Sequence, residues 1–150
     1  MKKTHYTLLL AFSAFFILLA GCKKPDPVVP TSDKVKRSYT ASSVSENGTT
    51  VYSSTGSSST KPGYSQFLLD LSSPPTARYR ALDGTLFTGT YTVTDTQIVL
   101  SGLTPVPTGT SGTITFTITD IGDGTAPTLT RTSADQKTGN STNVYKLKTP

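Results

Sequence analysis

The sequence predicts an all-β domain: an antiparallel meander of about eight to nine short strands that either closes into a barrel or folds into a sandwich. Three observations carry this prediction. Serine and threonine make up about a third of the chain beyond residue 21, and threonine with tyrosine and phenylalanine favours pleated strands. Helix formers are scarce, with Glu46 the one glutamate and Met1 the one methionine. Apolar residues recur at every second position between clusters of Gly, Pro, Asn and Asp that supply turns.

The first segment follows a different pattern. Met1-Lys2-Lys3 gives a positive start, and Leu8 to Ala20 is an uncharged, largely apolar run. Thirteen helical residues span roughly 20 Å at about 1.5 Å each, short of the ~30 Å hydrocarbon layer, so the run reads as a signal-peptide core rather than a membrane span. Leu18-Leu19-Ala20-Gly21-Cys22 then places the sole cysteine directly after two small residues. This stretch resembles the lipobox of bacterial lipoproteins. The resemblance implies cleavage between Gly21 and Cys22 and a thioether-linked diacylglycerol, with palmitate-type acyl chains, on Cys22. Two or three such chains, at about 0.8 kcal/mol per buried methylene, would tie the domain to a membrane.

Cleavage there leaves 129 of the 150 residues and, without Lys2 and Lys3, 12 basic against 9 acidic side chains. That length suits one domain with one core. The basic residues form no dense run beyond Lys34, Lys36 and Arg37, so no nucleic-acid footprint is expected. With its only thiol acylated, the mature chain has no internal disulfide. Residues 22–33 are proline-rich and lack a core-forming pattern; they read as an extended tether, reaching up to ~30 Å at about 3.1 Å per residue. Lys23 stands where an aspartate would favour inner-membrane retention in lipoproteins of this kind, so the expected location is the cell envelope, anchored to the outer membrane. Lys24-Pro25-Asp26 matches only part of a surface-export pattern, which leaves the periplasmic and outer faces both open.

The domain itself, residues 34–150, divides into strands. Lys36–Ser45 and Thr49–Ser54 flank Glu46-Asn47-Gly48, and Asn-Gly is a strong hairpin signal because both residues accept positive φ. A polar loop leads to Tyr64–Ser72, with Phe67, Leu69 and Leu71 on one face, ended by Pro74-Pro75. Thr76–Leu82 turns through Asp83-Gly84 into Thr85–Thr94, where Phe87, Tyr91 and Val93 alternate with threonines. Gln97–Gly102, Thr113–Ile121, Thr128–Ala134 and Thr142–Thr149 follow. The clearest alternation sets Ile114, Phe116 and Ile118 against Thr113, Thr115, Thr117 and Thr119, one face for the core and one for water. Pro127 places the Thr128 strand near a sheet edge. Barrel and sandwich put the same faces inward.

Asp83-Gly84-Thr85, Gly89-Thr90-Tyr91-Thr92-Val93, Gln97-Ile98-Val99-Leu100, Phe116-Thr117-Ile118, Leu129-Thr130 and the closing Tyr145-Lys146-Leu147 together resemble the small lipocalin-like lipoproteins of Gram-negative bacteria. That resemblance implies a meandering β-barrel. Lipocalins proper carry Gly-x-Trp on the first strand, where this chain has Arg37-Ser38-Tyr39 and no tryptophan.

The chemistry expected of the mature chain is correspondingly limited. His5 lies in the removed segment and Cys22 is acylated, which removes the Ser-His-Asp and Cys-His constellations and the common zinc sites. Asp83, Asp95, Asp123 and Asp135 sit in turns, where aspartate bonds to local backbone. Asp120-Ile121-Gly122-Asp123-Gly124 lacks the length and terminal glutamate of a calcium loop. Asn47-Gly48-Thr49 and Asn140-Ser141-Thr142 match a glycosylation sequon but read as turns. The expectation is a non-enzyme with no cofactor and no metal. Phe67, Leu69, Phe87, Tyr91, Ile114, Phe116, Leu129 and Tyr145 would line a ligand cavity if the barrel is open, or form plain core if it is filled. Arg131 shares the face of Leu129 and would either receive a carboxylate inside a barrel mouth or sit at the rim in water. Two functions follow: a binder of a small apolar or amphiphilic molecule, or a non-enzymatic envelope or surface interaction module acting on an envelope protein.

Overall fold

The computed structural model describes residues 27–56 and 59–150. Gly21 and Cys22, with the signal run and the first part of the tether, lie outside the described residues. Among those described, a single helical turn, α1 (Thr31–Lys34), precedes nine strands: β1 (Ser38–Glu46), β2 (Thr49–Ser53), β3 (Leu68–Ser73), β4 (Thr76–Arg80), β5 (Leu86–Val93), β6 (Gln97–Thr104), β7 (Ile114–Asp120), β8 (Thr128–Arg131) and β9 (Asn143–Lys148). Each pairs antiparallel with its neighbours, and β1 pairs with β9 from Thr40↔Lys148 to Glu46↔Asn143. That last pairing closes β1 and β3–β9 into an eight-stranded barrel. The domain is therefore a barrel and not a sandwich.

The ninth strand, β2, is the return arm of the predicted hairpin. Asn47 and Gly48 take φ of 48° and 82°, the left-handed pair that a two-residue turn matched to strand twist requires. β2 and β3 share one edge of β1: β3 meets it at Ser38 and Tyr39, β2 at Ser43 to Glu46. The outer edge of β2 is covered by its own loop, since the Val51 carbonyl accepts from the Lys61 N–H at 3.1 Å and the Ser53 N–H donates to Ser59 Oγ at 3.3 Å. A covered edge offers no template for strand pairing with another chain.

Three local readings change. Tyr64 stands not in a strand but in a 3-10 helix over Pro62–Gln66, which Pro62 opens with its pre-set φ. Thr31–Lys34 is helical where an extended spacer was expected, because the Pro30 carbonyl accepts from both Asp33 and Lys34 N–H groups and Lys36 pairs with Asp33. β8 is not an edge strand; it pairs with β7 and β9 on its two sides. Pro127 is tolerated because it precedes the ladder, where its missing N–H is not needed, while its carbonyl accepts from Leu147 at 2.9 Å.

The alternation read from sequence becomes inside and outside. Ile114 and Phe116 are buried while Thr117 and Thr119 face out, hydrogen-bonded to Thr132, just past β8, and to Thr130 within it, at 3.4 and 3.1 Å. The antiparallel order also sorts the connections. One end of the barrel, the base, holds the start of β1, the end of β9 and the β3–β4, β5–β6 and β7–β8 turns. α1 docks there, with Lys34 Nζ donating to the Gly122 carbonyl at 2.9 Å and Val35 fully buried. The opposite end, the rim, holds the Asn47-Gly48 hairpin, the Pro62–Gln66 helix and the β4–β5, β6–β7 and β8–β9 connections.

Candidate functional site at the barrel rim

The interior is filled with aromatic side chains. Phe67 stacks on Tyr145 with centroids 4.9 Å apart and 25° between planes, Tyr79 stacks on Phe87 at 5.8 Å, and Phe116 meets Tyr145 edge-on at 5.9 Å. All eight residues proposed from sequence as cavity lining are buried, and the structure brings them into one core cluster. Tyr91 stands at the base, its hydroxyl donating to the Leu71 carbonyl at 2.8 Å. These contacts leave the central rings facing each other rather than an open chamber.

Polar chemistry collects at the rim. Arg131, the last residue of β8, follows Leu129 into the interior and is 3% exposed. Its Nη1 lies 2.5 Å from Asp135 Oδ2, while its Nε is buried without a hydrogen-bond partner. Asp135 is held by the turn it builds: its Oδ1 accepts from the Lys137 N–H at 3.0 Å, and its backbone bonds to Ser141 and Asn140 at 2.9 Å each. Lys137 swings back across the mouth, donating to the Asp83 carboxylate, with its ammonium 5.5 Å from the Phe87 ring centroid. Beneath it, Tyr79, Phe87, Ile114 and Arg131 line a space of about 10 Å³, room for about one water molecule.

A second polar chain crosses the same end. Glu46 accepts from Lys61 at 2.5 Å and from the Tyr64 hydroxyl at 2.8 Å. Asn143, fully buried at the start of β9, donates to the Tyr145 hydroxyl at 3.2 Å and accepts from Ser141 Oγ at 2.6 Å. Burial raises the phenol pKa of Tyr64, Tyr79 and Tyr145, since a phenolate among these rings would lose its hydration. Burial also acts to raise Asp83, but the hydrogen bonds from Lys137 and from Thr85 outweigh it and hold the carboxyl below its ordinary range.

Of the two positions that sequence leaves open for Arg131, interior or rim in water, the side chain takes the interior one, and the carboxylate beside it is the chain's own Asp135. Asp135, Lys137, Glu46, Lys61 and Asn143 were not singled out. Sequence marks Asp135 as a turn residue, and it is one; the same carboxylate also faces Arg131, four residues earlier. Glu46 carried a signal, as the one glutamate in the chain placed at a hairpin. The Asp120–Gly124 stretch forms a turn, Asp120 Oδ1 accepting from Gly122 N–H at 3.1 Å and Asp123 Oδ1 from Thr125 N–H at 2.9 Å. Among the described residues, no group of three His, Cys, Asp or Glu is placed to hold a metal ion, and no helix is long and apolar enough to cross a membrane.

Fold and rim define a class: a closed eight-stranded antiparallel β-barrel with a packed aromatic interior and a buried polar cluster at one end. No family model matches the chain, and neither does any curated protein. Among solved structures, it is similar to an uncharacterized protein from Bacteroides eggerthii DSM 20697, with a TM-score of 0.44 and 11% identity over 76% of this chain and 98% of that one.

Proposed function

We propose that this chain is a lipoprotein anchored through lipid on Cys22 to the outer membrane, and that its barrel is a non-enzymatic interaction module working through its rim. The observation that carries this reading is the opposition of the two ends. The chain arrives at the base, where α1 and Val35 close the barrel, whereas the buried charges and the longer connections collect at the rim. A tether leaving the base would turn the rim away from the membrane. The filled interior supports recognition at this end over enclosure of an apolar molecule, since enclosing a whole drug-sized molecule takes a cavity of some hundreds of Å³.

Photo-crosslinking in intact envelopes tests the reading. A crosslinker at Thr108, on the rim, is expected to give a discrete adduct with an envelope protein that the same group at Asp95, on the base, does not give. Equal adducts from both ends would overturn it, as would a co-purifying apolar molecule in native mass spectra. Cys22→Ser is expected to release the protein from the membrane fraction and to abolish palmitate labelling; a protein that stays membrane-bound would refute the anchor.

A further inference from the structure

We infer that the notch above Arg131 is a binding site for a single carboxylate group carried on a short apolar stem. The inference rests on the rim being the working end of the domain and names what that end takes.

A guanidinium has five N–H donors, and buried polar groups in folded proteins are nearly always partnered. Arg131 is 3% exposed, pairs with Asp135 through Nη1, and leaves Nε without an acceptor. The side chain lines a space of about 10 Å³, room for one oxygen atom at the guanidinium and no more. The rest of a ligand would lie outside that space, against Pro107 beside Lys137, so the stem next to the carboxylate is short and apolar.

The second carboxylate oxygen falls to Lys137. Its present partner, Asp83, is 44% exposed, and Lys137 itself is 26% exposed. A pair that wet is held weakly and exchanges partners readily. The charge balance selects the ligand's valence. Arg131 and Asp135 neutralise each other, as do Lys137 and Asp83, so a monoanion that takes over Lys137 leaves one carboxylate, Asp83, to return to water. A phosphate dianion would bring excess negative charge beside Asp135 and would not fit the space.

The test is a titration of the mature chain, purified in detergent, followed through the side-chain Nε–H resonance of Arg131 in 1H–15N spectra. Sodium propionate stands for a free acid and N-acetylalanine for the C-terminus of a polypeptide; propionamide, sodium chloride and sodium phosphate are the controls. Either carboxylate is expected to move the Arg131 signal saturably, and Lys137→Gln is expected to weaken that binding about tenfold, the loss of one charge-assisted hydrogen bond. Asp83→Asn is expected to tighten it by releasing Lys137. Lys137 and Asp83 are partly exposed, so both variants test the site without emptying the core. A shift no larger than chloride produces, or one that propionamide reproduces, overturns the inference. Saturable binding of N-acetylalanine without propionate assigns the site to a protein terminus, and the reverse assigns it to a free acid. Failure here with rim-specific crosslinking intact removes this site alone; carboxylate binding without rim-specific crosslinking removes the envelope-partner reading instead.

Discussion

Phe67, the residue just before β3, and Tyr145 of β9 lie on opposite sides of β1, yet their rings stack at the centre of the barrel with centroids 4.9 Å apart. Tyr145 also meets Phe116 edge-on, and Phe67 meets Tyr79 edge-on at 5.8 Å, so one ring pair ties together four strands' worth of core. Phe67→Ala is expected to cost about 3–5 kcal/mol, because the surrounding rings are held from several strands and cannot collapse into the gap. Urea unfolding followed by tyrosine fluorescence measures it. A loss below about 1 kcal/mol would mean that the core repacks freely.

Asp135 is expected to matter more than its turn position suggests. Asp135→Asn leaves a buried guanidinium without its counter-charge and is expected to cost about 3–5 kcal/mol. Replacing both partners, Arg131→Met with Asp135→Asn, is expected to recover much of that loss, because the isolated charge is gone. Thermal unfolding of the two variants against the parent separates the cases; a double variant less stable than Asp135→Asn would contradict the isolated-charge account.

Alkali is expected to unfold this protein in a defined window. Burial among apolar groups pushes the Tyr39 phenol from 10.0 up to about 12, and raises Tyr64, Tyr79, Tyr91 and Tyr145 in the same direction. A raised folded pKa means that the neutral phenol is favoured in the folded state. Its contribution is complete below pH 10 and is lost as pH climbs from 10 towards 12 and beyond. Spectrophotometric titration is expected to show tyrosine ionisation delayed and then cooperative with loss of the β-sheet signal. Independent ionisation near pH 10 with the sheet intact would contradict the buried hydroxyls.

Docking of α1 on the base depends on Gly124. Its φ is +87°, and a Cβ there would lie 2.3 Å from the Lys34 carbonyl oxygen, while its own carbonyl accepts from Tyr39 at 2.9 Å. Gly124→Ala is expected to lift α1 and to expose the chain before Ser38 to protease. Gly48→Ala is the control: φ is +82° but nothing stands within 4 Å of the added carbon, so only backbone strain of about 1–2 kcal/mol is expected. Equal protease sensitivity in both would place the effect in strain rather than in docking.

Much of this architecture was legible residue by residue. Asn47-Gly48 set a hairpin because few other pairs tolerate two positive φ values. The Thr113–Thr119 alternation set β7 because a pleat sends neighbours to opposite faces. Tyr64 was misplaced because its apolar ring fits a strand pattern, whereas Pro62 two residues earlier favours a helical turn. The rim cluster was harder to read. Arg131 and Asp135 are near in sequence, but Glu46 meets Tyr64 across 18 residues and Lys137 meets Asp83 across 54. Sequence spacing carries no signal for partners that only barrel closure brings together.

The order, polarity and turns of the strands were determined by sequence alone, since they follow from local backbone preference and the period of two. The tertiary structure decided three things: that β1 closes on β9, that the interior is filled rather than hollow, and that the buried charges share one end. Each depends on where distant strands meet. Whether eight inward faces leave a chamber is set by the diameter of the ring they close, a property no single strand possesses.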